Sequence, residues 1–273
     1  VTNMVMDAVL VTLLPQDWKL TGAAIATALS QTVGGAIPLV YFSRKNSSTL
    51  HLGKTHYDGK AVFKACINGS SEFMSNISMS VVAMLYNLQL MKYAGENGIA
   101  AYGVMMYVSM IFSAAFIGYS IGCAPVVSYH YGARNHPELK SLLRKSVLLM
   151  AIGGVTLSAL ARLLAAPLSR LFVGYDADLC ALTTHAFTLF SWSFLLVGFN
   201  IFASGFFTAL NNGAISAAIS FLRTLVFQSG AVLLLPLLLD VDGIWWAITA
   251  AECFAFLISA IFLVAKRNKY HYM

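Results

Sequence analysis

The chain has 273 residues, 59% of them hydrophobic and 10% charged, with a formal net charge of +6. Soluble domains carry about 25% charged residues, so this composition and a mean hydropathy of +0.75 exclude a soluble globular protein and indicate an integral membrane one. The basic residues fall in short loops between apolar runs, which makes the charge topological and argues against nucleic acid as a partner.

A bilayer core needs about 20 apolar residues per helix. That length predicts an all-α, polytopic transmembrane helix bundle of about eight spans: 1–14, 22–43, 61–91, 98–129, 146–169, 180–209, 214–238 and 243–265. Residues 1–43 read as the last two helices of an N-lobe, 44–60 as a polar cytoplasmic linker, 61–265 as a complete six-helix C-lobe and 266–273 as a cytoplasmic tail. The first hairpin begins at Val1 with nothing before it, so the chain reads as the back end of a longer protein.

The loops alternate in charge. Arg44, Lys45, Lys54 and Lys60 follow the second span, Arg134, Lys140, Arg144 and Lys145 the fourth, and Lys266, Arg267 and Lys269 the last. Intervening loops hold Asp17 with Lys19, Lys92 with Glu96, Asp176 with Asp178 and Asp240 with Asp242, so the Lys/Arg excess falls on one side. The positive-inside rule then places loops 44–60 and 130–145 and the C-terminus in the cytoplasm, in a multi-pass plasma membrane protein of the bacterial inner-membrane type.

The two ends of the chain repeat. Val11, Leu13-Leu14-Pro15, Gly22 and Ala26 recur in register as Val232, Leu234-Leu235-Pro236, Gly243 and Ala247. An even number of crossings separates the copies, so they share one orientation, as in transporters built from parallel repeats.

Ionisable groups within spans are costly and mark function by default. Asp7 lies about 12 Å inside the first span, with Asn3 one turn earlier on its face. A carboxylate beside an amide oxygen suits a proton or a small hard cation, and equally suits a cap on a neighbouring helix. Glu72 lies near the midplane of its span, with Asn68, Asn76, Ser80 and Asn87 continuing its face and Met79 nearby. Such a stripe lines either a cavity or a helix seam; a midplane Glu favours a substrate cavity. Arg223 and Glu252 lie at depths of roughly 13 and 21 Å, a gap that an extended Arg closes to make a structural ion pair. Arg162 and Arg170 are expected to snorkel. Cys66, Cys123, Cys180 and Cys253 read as buried small hydrophobes, and the histidines lack metal-ligand spacing, so no metal is expected.

Three stretches resemble the multidrug and toxic compound extrusion (MATE) transporters: Asn3-Met-Val-Met-Asp7 with Gly22-Ala-Ala-Ile-Ala-Thr27, Gly122-Cys-Ala-Pro-Val-Val-Ser-Tyr-His-Tyr-Gly-Ala133, and Leu222-Arg223 through Gly243-Ile-Trp-Trp to Glu252. The resemblance implies two six-helix lobes around a central cavity. It also implies efflux of organic, often cationic compounds driven by inward H⁺ or Na⁺, with no cofactor beyond that ion. It assigns cation coupling to Asn3, Asp7 and Thr27, with a further carboxylate on a first helix that this chain lacks. Glu72 matches a C-lobe acidic position, yet residues 180–209 offer no acidic partner in their interior.

The expected function is therefore multidrug efflux by antiport with alternating access, by a protein that is monomeric at full length, with the bilayer and small organic cations as its partners. A lipid-linked saccharide flippase is the alternative; it favours a basic cavity for pyrophosphate. A membrane-embedded enzyme would need a nucleophile–base or metal constellation, and no such motif is visible, so no catalytic residue is assigned.

Overall fold

A computed structural model describes residues 2–15, 18–44 and 58–272, with side chains for all of these except 71, 72 and 75. All regular structure among the described residues is helical, and the helices are long and apolar enough for a multi-pass membrane protein. The chain divides into two compact units, Val1–Asp58 and Gly59–Met273. Residues 45–57, most of the stretch read as a linker, lie outside the described residues.

The first unit is a helical hairpin of α1 (Thr2–Leu13) and α2 (Lys19–Ser43). Pro15 offers no backbone donor to continue α1, and its carbonyl accepts from the Trp18 N–H at 2.9 Å to close the turn. Gly22 and Ala26 are the buried positions of α2. A Cβ on Gly22 would fall 2.8 Å from Leu14 Cδ1 and 3.3 Å from Leu10 Cβ, so this glycine lets α2 lie close on α1.

The second unit begins with α3 (Gly59–Gly132), whose helical run is broken at Gly95, φ 63° and ψ −155°. Only glycine adopts that conformation without strain. Tyr86 and Tyr102 stack with ring centroids 4.8 Å apart, although 16 residues of straight helix would separate them by about 24 Å. The chain therefore folds back at Gly95, and α3 is two antiparallel arms. Next come α4 (His136–Val173), α5 (Ala177–Phe190), a 3₁₀ turn (Ser191–Ser193) and α6 (Phe194–Ala209). Then α7 (Gly213–Phe221) runs through a π-helical segment, Leu222–Gln228, into α8 (Ser229–Leu234). Last is α9 (Pro236–Tyr270), broken at Asp240 with φ 50°. A Cβ on Gly243 would fall 2.4 Å from the Leu235 carbonyl carbon, so α9 doubles back as α3 does. Counting both arms of α3, α5–α6 as one length and the long arm of α9 apart from its start, the described residues form eight helical lengths, of which the 12-residue α1 is too short to span a bilayer by itself.

Two apolar clusters divide the second unit along its length. One joins Leu90, Val173, Leu179 and Ile244; the other joins Val127, Leu139, Leu210, Ile215 and Tyr270. The turn after α3, the Asn211–Gly213 turn and the C-terminus therefore share one end. There Asn212 Nδ2 donates to the Tyr270 hydroxyl at 2.7 Å.

Several boundaries differ from the apolar runs. Helix α4 starts ten residues before the expected span at 146, because Asn135 accepts from the Glu138 N–H, Pro137 fits the first turn, and Leu139 and Leu143 are buried. Residues 266–272 do not trail free. The helix continues to Tyr270, and Tyr272, 1% exposed, donates its hydroxyl to the Leu263 carbonyl at 2.9 Å. Burial, and then the neighbouring Tyr270, push the Tyr272 hydroxyl above the usual phenolic range, so it remains a donor. Cys66 and Cys253 are exposed rather than buried, since a small apolar side chain is as comfortable facing lipid as facing the core.

The repeated glycines are not equivalent. Gly243→Ala meets the Leu235 backbone, whereas Gly22→Ala meets a movable Leu14 tip. We expect Gly243→Ala to cost about 1–3 kcal/mol and Gly22→Ala clearly less. Thermal unfolding of the two variants in detergent checks this; equal midpoints would contradict it.

Candidate functional site

In the first unit the residues singled out from sequence come together across the hairpin. Asn3 and Asp7 stand one turn apart on α1, and Asn3 Nδ2 donates to Thr27 Oγ1 of α2 in a long bond of 3.4 Å. Thr27 Oγ1 in turn donates to the Ala23 carbonyl at 3.1 Å. The Oδ1 atom of Asp7 is buried and has no hydrogen-bond partner among the described residues. A buried carboxylate oxygen without a donor is costly, and protonation or a bound cation removes that cost. An amide oxygen, a carboxylate and a hydroxyl also form a hard-oxygen set of the kind that small cations take.

In the second unit the polar stripe of α3 divides. Asn68 lies at a seam: a Cβ on Gly213 would fall 2.3 Å from Asn68 Cα, so α7 begins against the α3 backbone there. Its Oδ1 is buried without a partner among the described residues. About two to three turns along, Asn76, Met79 and Ser80 are exposed on the surface of the unit, and Ser80 Oγ donates to the Asn76 carbonyl at 3.4 Å. Glu72 occupies a helical position between them, and its side chain lies outside the described residues.

Arg223 and Glu252 meet. Arg223 Nε donates to Glu252 Oε1 at 2.9 Å and Oε2 at 3.1 Å, and Nη2 donates to Oε1 at 2.7 Å. Asn200 of α6, fully buried, completes the group: its Nδ2 donates to Glu252 Oε2 at 2.7 Å and to the Glu252 carbonyl at 3.0 Å. Three donors thus hold a carboxylate whose side chain is 7% exposed. Sequence reasoning missed Asn200, although it is the one amide inside the run 180–209. Arg162 does not snorkel. Its guanidinium lies 3.5 Å from the Trp192 ring centroid, and Nε donates to Ser191 Oγ at 3.0 Å. Close by in the bundle, Ser204, Thr208, Ser216 and Ser220 bond one another across α6 and α7, a small-polar seam of the membrane kind.

The MatE family model matches residues 73–230, more than half of the chain. The chain belongs to the MatE family. Among curated relatives, the multidrug export protein MepA of Staphylococcus haemolyticus is 24% identical over 268 residues, covering 98% of this chain and 58% of that protein. Of solved structures, a crystal structure of MATE in complex with MaL6 matches with a TM-score of 0.90 at 20% identity, covering 100% of this chain and 61% of that one. An outward-facing conformation of a multidrug resistance MATE family transporter of the MOP superfamily matches with a TM-score of 0.85 at 22% identity, covering 98% and 61%. These likenesses establish the MatE fold. The MatE family comprises transporters, not enzymes, and this MatE chain spans about three-fifths of the length of the proteins it matches.

Proposed function

We propose that the protein exports small organic cations across the plasma membrane by antiport, with H⁺ or Na⁺ entering through Asp7, Asn3 and Thr27. The observation that carries this reading is the buried, unpartnered Oδ1 of Asp7 beside the Asn3–Thr27 bond. Loading the carboxylate relieves its desolvation, so helix packing around it favours different arrangements in the loaded and empty states. Substrate affinity then falls as the ion binds, and by linkage bound substrate weakens the ion. Glu72, Asn76 and Met79 form the proposed substrate-facing stripe, a carboxylate and an amide with an adaptable thioether, and Asn68 closes its end at the seam with α7. Cationic cargo fits better than a pyrophosphate, because Glu252 already neutralises the Arg223 guanidinium. The end bearing Arg134, Lys140, Arg144 and Lys145 with the C-terminus faces the cytoplasm in this scheme.

The test is transport by the intact native protein in liposomes, with ethidium as cargo and an imposed H⁺ or Na⁺ gradient. Ethidium movement driven by one gradient and absent without both is expected. Movement indifferent to either gradient, or none at all, would overturn the proposal.

A further inference from the structure

We propose that the cleft at the C-terminal end of the second unit binds a phosphate group. The cleft has a volume of about 470 Å³ and is lined by Tyr131, Gly132, Arg134, His136 and His271. Three of those five residues carry side chains that are cationic or can become so, and they come from two distant parts of the chain. Arg134 belongs to the turn between α3 and α4, His136 opens α4, and His271 caps α9.

Four observations point to a ligand rather than to simple docking of the tail. First, Arg134 and His271 have left-handed backbones, φ 54° and 53°. That region is uncommon for Arg and less so for His, and in both residues it closes a helix C-terminus. Two of the four non-glycine positions of this sort among the described residues meet in one cleft. Second, Arg134 makes no ion pair among the described residues; the pairs found there are His185 with Asp242 and Arg223 with Glu252. Third, the His136 and His271 rings lie 5.0 Å apart, and His136 Nδ1 is buried without a hydrogen-bond partner among the described residues. Fourth, the tail is already held by other groups, through Tyr270 to Asn212 and Tyr272 to Leu263. The basic side chains are therefore not needed for docking.

The chemistry of the lining selects the ligand. A guanidinium and two imidazoles lining one cleft are the side chains that match the oxygens of a phosphate. The 38-residue helix α4 starts at His136, so its positive end adds to the field there. The phosphate can come from a lipid headgroup or from a soluble phosphate compound.

The intact native protein, purified in detergent, is offered phosphatidic acid or phosphatidylcholine, each with and without inorganic phosphate, and retained molecules are read by native mass spectrometry. Phosphatidic acid should be retained in preference to phosphatidylcholine, or inorganic phosphate should bind alone. Arg134→Asn with His271→Asn should lower that retention roughly tenfold or more. Asn tolerates the left-handed region, so the backbone is spared, and size exclusion confirms folding. Lys145→Gln, at the same end, should change nothing. Retention of phosphatidic acid that inorganic phosphate does not compete supports the proposal and assigns the lipid source; binding of inorganic phosphate alone supports it and assigns the soluble one. Failure of both probes to bind the wild type, or retention that survives the double substitution, would overturn it.

Discussion

Asp7→Asn in the intact native protein should lower ethidium export by a hundredfold or so, while the amount of protein in the membrane is unchanged or higher. The size follows from coupling free energies of about 1–3 kcal/mol, equivalent to about 5–150-fold. Asn keeps the shape of the carboxyl beside the Asn3–Thr27 bond, but it has no charge to gain or lose. The variant therefore resembles a permanently loaded site that cannot reset. Insertion should not suffer, because removing a carboxylate from a span saves about 2.5–3.5 kcal/mol on translocon scales. Cellular ethidium accumulation, normalised to membrane abundance, is the measurement. Export by the variant at the wild-type rate would show that Asp7 only braces α1 against α2.

Arg223→Leu should be the most destabilising single change in the second unit, at about 3–5 kcal/mol. It strands the Glu252 carboxylate, 7% exposed at its side chain, with Asn200 as its remaining donor. Removing both charges, as Arg223→Leu with Glu252→Met, should recover most of the loss, because the cost comes from the uncompensated ion rather than from the missing pair. Thermal unfolding in detergent of both single variants and the double variant measures this coupling. Additive losses, with the double variant worst, would mean that the pair acts through packing alone.

Much of the architecture was readable because membrane helices announce themselves by length and apolarity. The hairpin turns at Gly95 and Asp240 sit in polar breaks between apolar runs, and Gly22 and Gly243 mark close crossings in both repeats. Other features carry no such signal. A π-helical segment has nearly the same composition as an α-helix, so Leu222–Gln228 is invisible in hydropathy. The early start of α4 was hidden because its first ten residues are amphipathic and too polar to count as a span. Arg162 looked free to reach the interface, since spacing says nothing about a tryptophan brought across from residue 192. In the first unit the grouping of Asn3, Asp7 and Thr27 was legible only in part. The i, i+4 spacing pairs the first two, while Thr27 needs the hairpin to bring it to 3.4 Å from Asn3.

The π-helical segment also bears on how the two halves of the protein relate by descent. At the offset that superimposes Pro15 on Pro236, Leu222–Gln228 corresponds to residues 1–7, and α1 is plain α-helix from Thr2 onward. A π turn closes its hydrogen bonds five residues apart instead of four, so it absorbs one extra residue without changing the phase of the helix beyond it. If the halves arose by duplication, one of them has gained or lost a residue just ahead of its proline. Pairing the copies residue by residue is then sound from Gln228 onward, opposite Asp7, and takes a one-residue gap within Leu222–Gln228.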